Sequence, residues 1–306
     1  MPALALDVIL AASICAVALG AVLARELLAA IVFFIVYGAL LSIAWVRLGS
    51  VDVALAEAAI GAGLTGILLI GAAARLRPAV AHSDTFARLV PFALCVGLVA
   101  MLLVALHGLA HETAGLAPLI EDNLAASGVS NPVTAVLLNF RGYDTLLETV
   151  VLVIALVAVW SVTSARFWGG TPGLRQHARA DGVLAHFGRL LPAVGILVAV
   201  HLLWSGSHAP GGAFQAGTVL AAVWLLVAMA GLTDAPAVSD RRLRITVAGG
   251  PLVFLLVAGA GALAGTFLGL PSEIAYYLIL AIEVALTVSI AATLAMLVLG
   301  VPRRTP

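Results

Sequence analysis

Nine runs of about 20 apolar residues, separated by short polar connections, leave this chain one class of fold. They cover roughly 3–24, 27–48, 53–74, 86–107, 145–165, 187–204, 213–232, 244–268 and 273–299. In hydrocarbon every backbone N–H and C=O must find its partner inside the protein, so runs of this length cross as helices. The reading is an all-α, polytopic integral membrane protein with about nine transmembrane helices in a lipid bilayer. Composition agrees, since 63% of the 306 residues are hydrophobic and 10% charged, against about 25% charged in a soluble domain. The first run has no basic leader and is expected to be a retained helix, not a cleaved signal.

Orientation follows from arginine, because the chain has no lysine and all 15 basic residues are Arg. With the N-terminus outside, the inner loops hold Arg25; Arg75, Arg77 and Arg88; Arg166, Arg175, Arg179 and Arg189; Arg241, Arg242 and Arg244; and Arg303 and Arg304. Only Arg47 and Arg141 fall outside. The positive-inside rule therefore gives nine spans, N-out and C-in. The zero net charge hides this asymmetry and gives no sign of nucleic-acid binding. Cys15 and Cys95 lack CxxC spacing and read as buried apolar thiols, with no disulfide or metal framework.

The arginine-rich loops divide the chain into segments 1–80, 81–182 and 183–306, and Gly169-Gly170-Thr171-Pro172-Gly173 marks the clearest linker. The longest outer segment, 108–144, carries Glu112, Glu121, Asp122 and Asp144 against Arg141, a negative face for external cations or simply a solvated loop. Within it Val133 to Phe140 is apolar but too short to cross, so it is re-entrant, interfacial or packed on other helices. The repeated Gly61-Ala62-Gly63 and Gly259-Ala260-Gly261 read as small residues that let helices approach closely.

Three glutamates stand inside apolar runs, where an ionised side chain costs at least roughly 2.5–3.5 kcal/mol and usually marks an ion pathway. Glu57 lies more than a turn inside its helix from Asp52, which suits the helix start. Glu148 follows Thr145 by three residues, so a capping box and an ion-handling role both fit. Glu283 lies ten residues past Glu273, roughly 15 Å along the last helix and near the midplane, as an ion site or a neutral buried acid. His107 and His111 share a helix face but lack a third ligand, so no metal site is expected. His201 either relays protons or bonds a backbone carbonyl. Between the sixth and seventh runs, Ser207-His208-Ala209-Pro210-Gly211-Gly212 breaks regular structure where only protein or water can satisfy the backbone.

That last segment, continued through Ala213-Phe214-Gln215-Ala216-Gly217, resembles the Gly-His-x-x-Pro-Gly-Gly-Gly-Phe-x-x-Gly signature of the MnhB-type subunit of Mrp-type multisubunit sodium/proton antiporters. The stretch Asn139-Phe140-Arg141-Gly142-Tyr143-Asp144-Thr145-Leu146-Leu147-Glu148 resembles the Asp-Phe-Arg-Gly-Phe-Asp-Thr-x-x-Glu region in the C-terminal part of the large A-type subunit of the same antiporters. Val51 to Gly63 is similar to the third helix of the neighbouring module of that part. The resemblance covers nearly the whole chain. It implies a fusion of an MbhD-like module (1–80), an MbhE-like module (81–182) and an MnhB- or MbhF-like module (183–306). It implies that the first five helices are similar to the J-type membrane subunit of complex I, with a π-bulge to be sought at Gly61 and Gly63. Ser207, Ala213 and Asn139 depart from the family pattern, the last removing a negative charge.

By the same resemblance Glu57 and Glu148 fall on acidic positions associated with cation passage, with the His208 loop shaping the entry; Glu283 joins the expected ion path on its depth alone, and Asp144, Arg141 and His201 are expected beside it. The large antiporter-like half, with its lysine-bearing broken helices, does not occur in this sequence. The chain is thus expected to be a non-catalytic subunit in a bacterial cell (inner) membrane. Its partners would be other membrane subunits, a large antiporter-like one among them, with no cofactor beyond transported Na⁺ or H⁺. Two alternatives are an ion-translocating membrane subunit of a redox-driven complex, related to membrane-bound hydrogenase or formate- or CO-oxidising enzymes, and a structural scaffold.

Overall fold

The computed structural model describes residues 2–74, 85–108, 115–173, 179 and 181–305. Arg75, Arg77, His111, Glu112 and Arg175 lie outside these described residues. Each predicted apolar run is a helix. In chain order the elements are α1 (Pro2–Leu23), α2 (Leu27–Arg47), α3 (Val51–Ala73), α4 (Thr85–Gly108), the short α5 (Ala117–Asn123) and α6 (Pro132–Ala135), then α7 (Gly142–Ser161), α8 (Val183–Ser205), α9 (Ala213–Met229), α10 (Arg241–Leu263) and α11 (Ala275–Leu299). Eight of them are long and apolar enough to cross a membrane. The ninth, α9, has 17 residues, at the short end of the range of about 17–25 that spans hydrocarbon.

The core lies around α11, against which α9 and α10 pack along their length while α7 crosses it. Phe254 of α10 and Ile279, Ile282, Leu286, Ile290 and Leu294 of α11 form its centre. Lipid tails are as apolar as leucine, so association here depends on close packing and interhelical hydrogen bonds. Both occur: a Cβ on Gly217 of α9 would stand 2.8 Å from Ile290, and one on Gly250 of α10 2.7 Å from Ser289. The Ser289 hydroxyl donates to Val247 O at 2.6 Å, tying α11 to α10. Asp240 caps α10 by accepting the Arg242 N–H at 2.8 Å.

At the other side, α1 and α2 form a hairpin joined by Arg47 and Asp7 at 2.8 Å, and α3 packs on α2. Helix α3 changes pitch: Val51–Ala56 is α-helical, Glu57–Leu64 is π-helical, and Thr65–Ala73 returns to α. The π segment contains Gly61 and Gly63, and the Thr65 hydroxyl donates to Ile60 O at 2.8 Å where the ladder shifts. A two-stranded antiparallel pairing of Thr171–Pro172 with Pro302–Arg304 pins the linker to the C-terminal segment.

Four expectations are corrected. Helix α7 starts at Gly142, and the Thr145 hydroxyl donates to Leu137 O at 2.6 Å, so Thr145 and Glu148 form no capping box. Cys15 and Cys95 are both exposed, on the long apolar helices α1 and α4. Gly259 has open space around it and Gly261 fits under the turn at Thr266 and Gly269, not against another membrane helix. Asp52 lies in the first turn of α3 but caps nothing, and its carboxylate reaches across the molecule instead.

Candidate functional site

Between α8 and α9 the backbone leaves helical geometry without leaving the protein. Gly206 N–H and Gly212 N–H both donate to Leu202 O, at 3.2 and 2.9 Å, so the chain doubles back onto the last turn of α8. Gly211 and Gly212 take φ values of 157° and 124°, and a Cβ on Gly211 would collide with Leu202 O. Only glycine fits this pair without strain.

The other two segments hold this loop. From the middle segment, Asn131 Nδ2 donates to Gly206 O and Ala209 O at 3.1 and 3.0 Å, and the Thr134 hydroxyl also donates to Gly206 O. Ser130 and Asn131 N–H groups donate to Ser207 O. Asn131 caps α6 as well, accepting the Val133 N–H at 2.9 Å, with Pro132 in the first helical position. From the first segment, Asp52 Oδ1 accepts the Gly211 N–H at 3.0 Å and Asp52 O accepts from Gln215 at 3.4 Å.

A cavity of about 280 Å³ opens where the three segments meet. Asp52, Thr134, Thr145, Glu148, Gln215 and Glu283, with the backbone of Gly211 and Gly212, supply its polar wall; Val53, Ile60, Val133, Leu137 and Leu286 are among its apolar lining. Glu283 is 2% exposed. Its carboxylate accepts the N–H of Ala213, the first residue of α9, where the positive end of the helix favours negative charge. Its Oε2 has no hydrogen-bond partner among the described residues. A Cβ at Gly206 or Gly212 would stand 3.2 Å from Oε1, so the glycine pair also makes room for this carboxyl group.

The structure brings together Glu148, Glu283, Gly211 and Gly212 and leaves the other predicted residues apart. Glu148 sits exposed on the open side of the cavity. Glu57, half-buried in the π segment of α3, is not in the cavity wall; its carboxyl group folds back over Gly61, so that a Cβ there would strike Oε1. Gly63 has Ala58 O beside it at 3.3 Å from a notional Cβ. Arg141 and Asp144 pair at 2.6 Å on the surface at the start of α7. His201, His208 and Pro210 are exposed. A further cavity of about 310 Å³ lies at the opposite end of α9, with Asp234 and Arg304 on its wall and none of the glutamates.

Sequence reasoning missed Asp52, Asn131, Thr134 and Gln215 as parts of this site. Asp52 had an ordinary explanation as a helix-start acid, and Asn131-Pro132 reads as any helix cap. It also missed a second π segment, Val136–Phe140, closed by Arg141 N–H on Val136 O at 2.8 Å. Val133 to Phe140 is therefore packed on other helices, with Ala135 and Leu138 buried in the core. Both π segments border the cavity, through Ile60 and through Leu137 and Leu138, and π geometry often sits at functional sites. Asn139, where the family pattern has Asp, donates to Ser127 O at 2.9 Å, which a carboxylate could not do.

Comparison with known proteins matches two portions of the chain. Residues 12–78 match the MbhD family, the D-type subunit of MBH, and residues 183–301 match the domain related to the MnhB subunit of Na⁺/H⁺ antiporter. An uncharacterised protein of Methanocaldococcus jannaschii is 29% identical over 154 residues, 45% of this chain and 59% of that protein. The chain thus spans less than two thirds of that relative. Among solved structures, a chain of the Mrp complex from a Dietzia species superposes with a TM-score of 0.74 at 24% identity, over 97% of this chain and 35% of that one. A chain of the membrane-bound sulfane sulfur reductase, an archaeal respiratory membrane complex, superposes with a TM-score of 0.56 at 20% identity, over 70% of this chain and 98% of that one. These likenesses establish the fold.

Proposed function

A chain that fuses an MbhD-like module to an MnhB-like one is, we propose, a membrane subunit of an Mrp-type multisubunit cation/proton antiporter and lines part of its ion path. In this reading residues 81–182 are the MbhE-like module between them, and the chain works with other membrane subunits, a large antiporter-like one included. The observation that carries it is the cavity at the meeting of the three segments, with buried Glu283 and exposed Glu148 on one wall. An acid buried at membrane depth is costly to keep and is retained where ions move. A broken helix whose N-terminus meets a charged group is the geometry transporters use at their binding sites. Here α8, the glycine loop and α9 supply that break.

Glu148 faces the open side and Glu283 the closed side, so they are successive stations on the path. Glu57, next to the cavity-lining Ala56 on α3 but not itself in the wall, continues it. The Arg141–Asp144 pair and His208 stand at its surface, and none of these residues catalyses a covalent step. Replacing Glu148 or Glu283 by Gln in the assembled complex is expected to abolish cation-coupled transport in vesicles while the subunits still co-purify, and Glu57→Gln to reduce it strongly. Normal transport by both cavity variants in an assembled complex would overturn the assignment.

A second reading has an observation of its own. The first module matches a family from MBH, and the sulfane sulfur reductase chain is matched over 98% of its length. The same path would then serve a redox-driven complex, with the electron transfer in other subunits. Nickel or iron–sulfur absorbance in the purified native complex decides for this reading, and its absence decides for the antiporter.

A further inference from the structure

We propose that the mouth of the cavity is covered by a transmembrane helix of another subunit, which places a Lys or Arg side chain level with Glu148. This inference rests on the reading of the chain as one subunit of a larger membrane complex, and it names what completes the site. Helix α7 has 20 residues, about 30 Å at 1.5 Å per residue, which matches the hydrocarbon core. Glu148 stands six residues past the helix start, roughly 9 Å inside, and a glutamate side chain is too short to reach back to the headgroups. Yet Glu148 is exposed, and on the same face Leu147, Val151 and Ile154 are exposed too. Among the described residues Glu148 has neither a hydrogen bond nor an ion pair. Acids at this depth face a protein interior or water and pair with other groups. Lipid tails against this face would supply none of these.

The same exposure continues across the rim of the cavity, through Val53 of α3, Val133 of α6 and Leu137 of the second π segment. Asp52 and Glu283 share the wall with Glu148, and no Lys, Arg or His lines it. A polar hollow with three carboxyl groups and an open side cannot face hydrocarbon, where unsatisfied polar groups cost several kcal/mol each. A helix of another chain laid between α3 and α7 closes it.

The charge of the covering helix follows from how the chain treats its other exposed acids in apolar helices. Asp7 of α1 pairs with Arg47 of α2 at 2.8 Å, and Asp144 in the first turn of α7 pairs with Arg141 at 2.6 Å. That pair engages Arg141, about two turns from Glu148. Glu148, on the same helix, is left with no base from its own chain, so a basic side chain from outside is the complement it lacks. Helix α4 makes the contrast. It is equally bare, but its apolar stretch Leu89–Gly108 carries no carboxylate, so lipid tails can cover it and it calls for no such partner.

The test is photocrosslinking in native membranes from a benzophenone amino acid placed at Val151, three residues past Glu148 on the same face. Irradiation is expected to join this chain to another subunit, and mass spectrometry to map the adduct to a transmembrane segment with a Lys or Arg within one turn. Glu148→Lys should then lower the yield of that adduct by about tenfold or more, because like charges would meet, and replacing the partner's base by Glu should restore it. If Glu148→Lys prevents assembly, Glu148→Gln removes the charge without opposing it and should lower the yield by a smaller factor. Adducts confined to lipid, to this chain or to a second copy of it, or to a segment without a basic residue, overturn the proposal. So does a yield that no Glu148 variant changes. Transport assays on the same membranes keep the two readings separable. Active antiport with adducts to lipid alone defeats the covering helix and leaves the ion path standing. The expected adduct in a complex that moves no cation defeats the ion path and leaves the covering helix standing.

Discussion

Helices α4 and α11 are both long and apolar, yet they are opposites in the folded chain. In the most apolar stretch of α11, 67% of residues are buried within the protein; in that of α4 the share is 0%. Helix α4 is the more hydropathic of the two. Hydropathy reports compatibility with hydrocarbon, and in a membrane lipid and protein offer the same apolar surroundings. What separates them is polar and small: α11 carries Glu283, Thr287, Ser289 and Thr293, all buried, and receives Gly217 and Gly250 from its neighbours. Helix α4 offers its neighbours Leu94, Val99, Leu103 and other large exposed side chains and packs extensively against no other described element.

Substitutions around α11 and its glycine loop are therefore expected to cost far more than those on α4. The largest effect belongs to Gly211→Val, whose Cβ would collide with Leu202 O at a φ unfavourable to side chains. A loss of about 3 kcal/mol or more should appear as failed assembly in co-purification. Asn131→Ala removes two donors to the loop and the cap of α6, at roughly 2–4 kcal/mol, read as a lower unfolding temperature of the complex. Asp52→Ala deletes the acceptor of Gly211 N–H, at about 1.5 kcal/mol. Asp52→Asn keeps an oxygen there, so it should recover most of that stability, and equal losses in the two variants would break the account of Asp52. Leu102→Ala on α4 should change the chain's own stability by no more than about 0.5 kcal/mol. A large loss from that change in a chain free of partners would erase the contrast between the two helices.

Much of the fold was legible because it follows from local rules. Each apolar run became a helix within a few residues of its expected bounds, and the Pro210-Gly211-Gly212 break lies between α8 and α9 where the sequence puts it. One boundary failed where a local π turn intervened: α7 begins at Gly142, three residues early, because the π turn of Val136–Phe140 ends at Arg141. Of the site, Glu148 and Glu283 were visible as costly charges in apolar runs. Their meeting in one cavity was not, nor the separation of Glu57 from it, since a carboxylate within an apolar run does not tell which helices pack around it. Asp52 escaped notice because its bond to Gly211 joins residues 159 positions apart.

By itself the sequence determined a helical membrane protein, the number of its apolar runs, the glutamates at depth and the glycine break between two of its helices. These follow from the length of helix needed to cross hydrocarbon and from the conformations glycine and proline allow. Only the tertiary structure decided which acids share a cavity, which face of α3 turns toward it, and which helices form the core. Such choices depend on small residues and hydrogen bonds that act across the molecule. In a chain this uniformly apolar, they are the interactions that distinguish one packing from another.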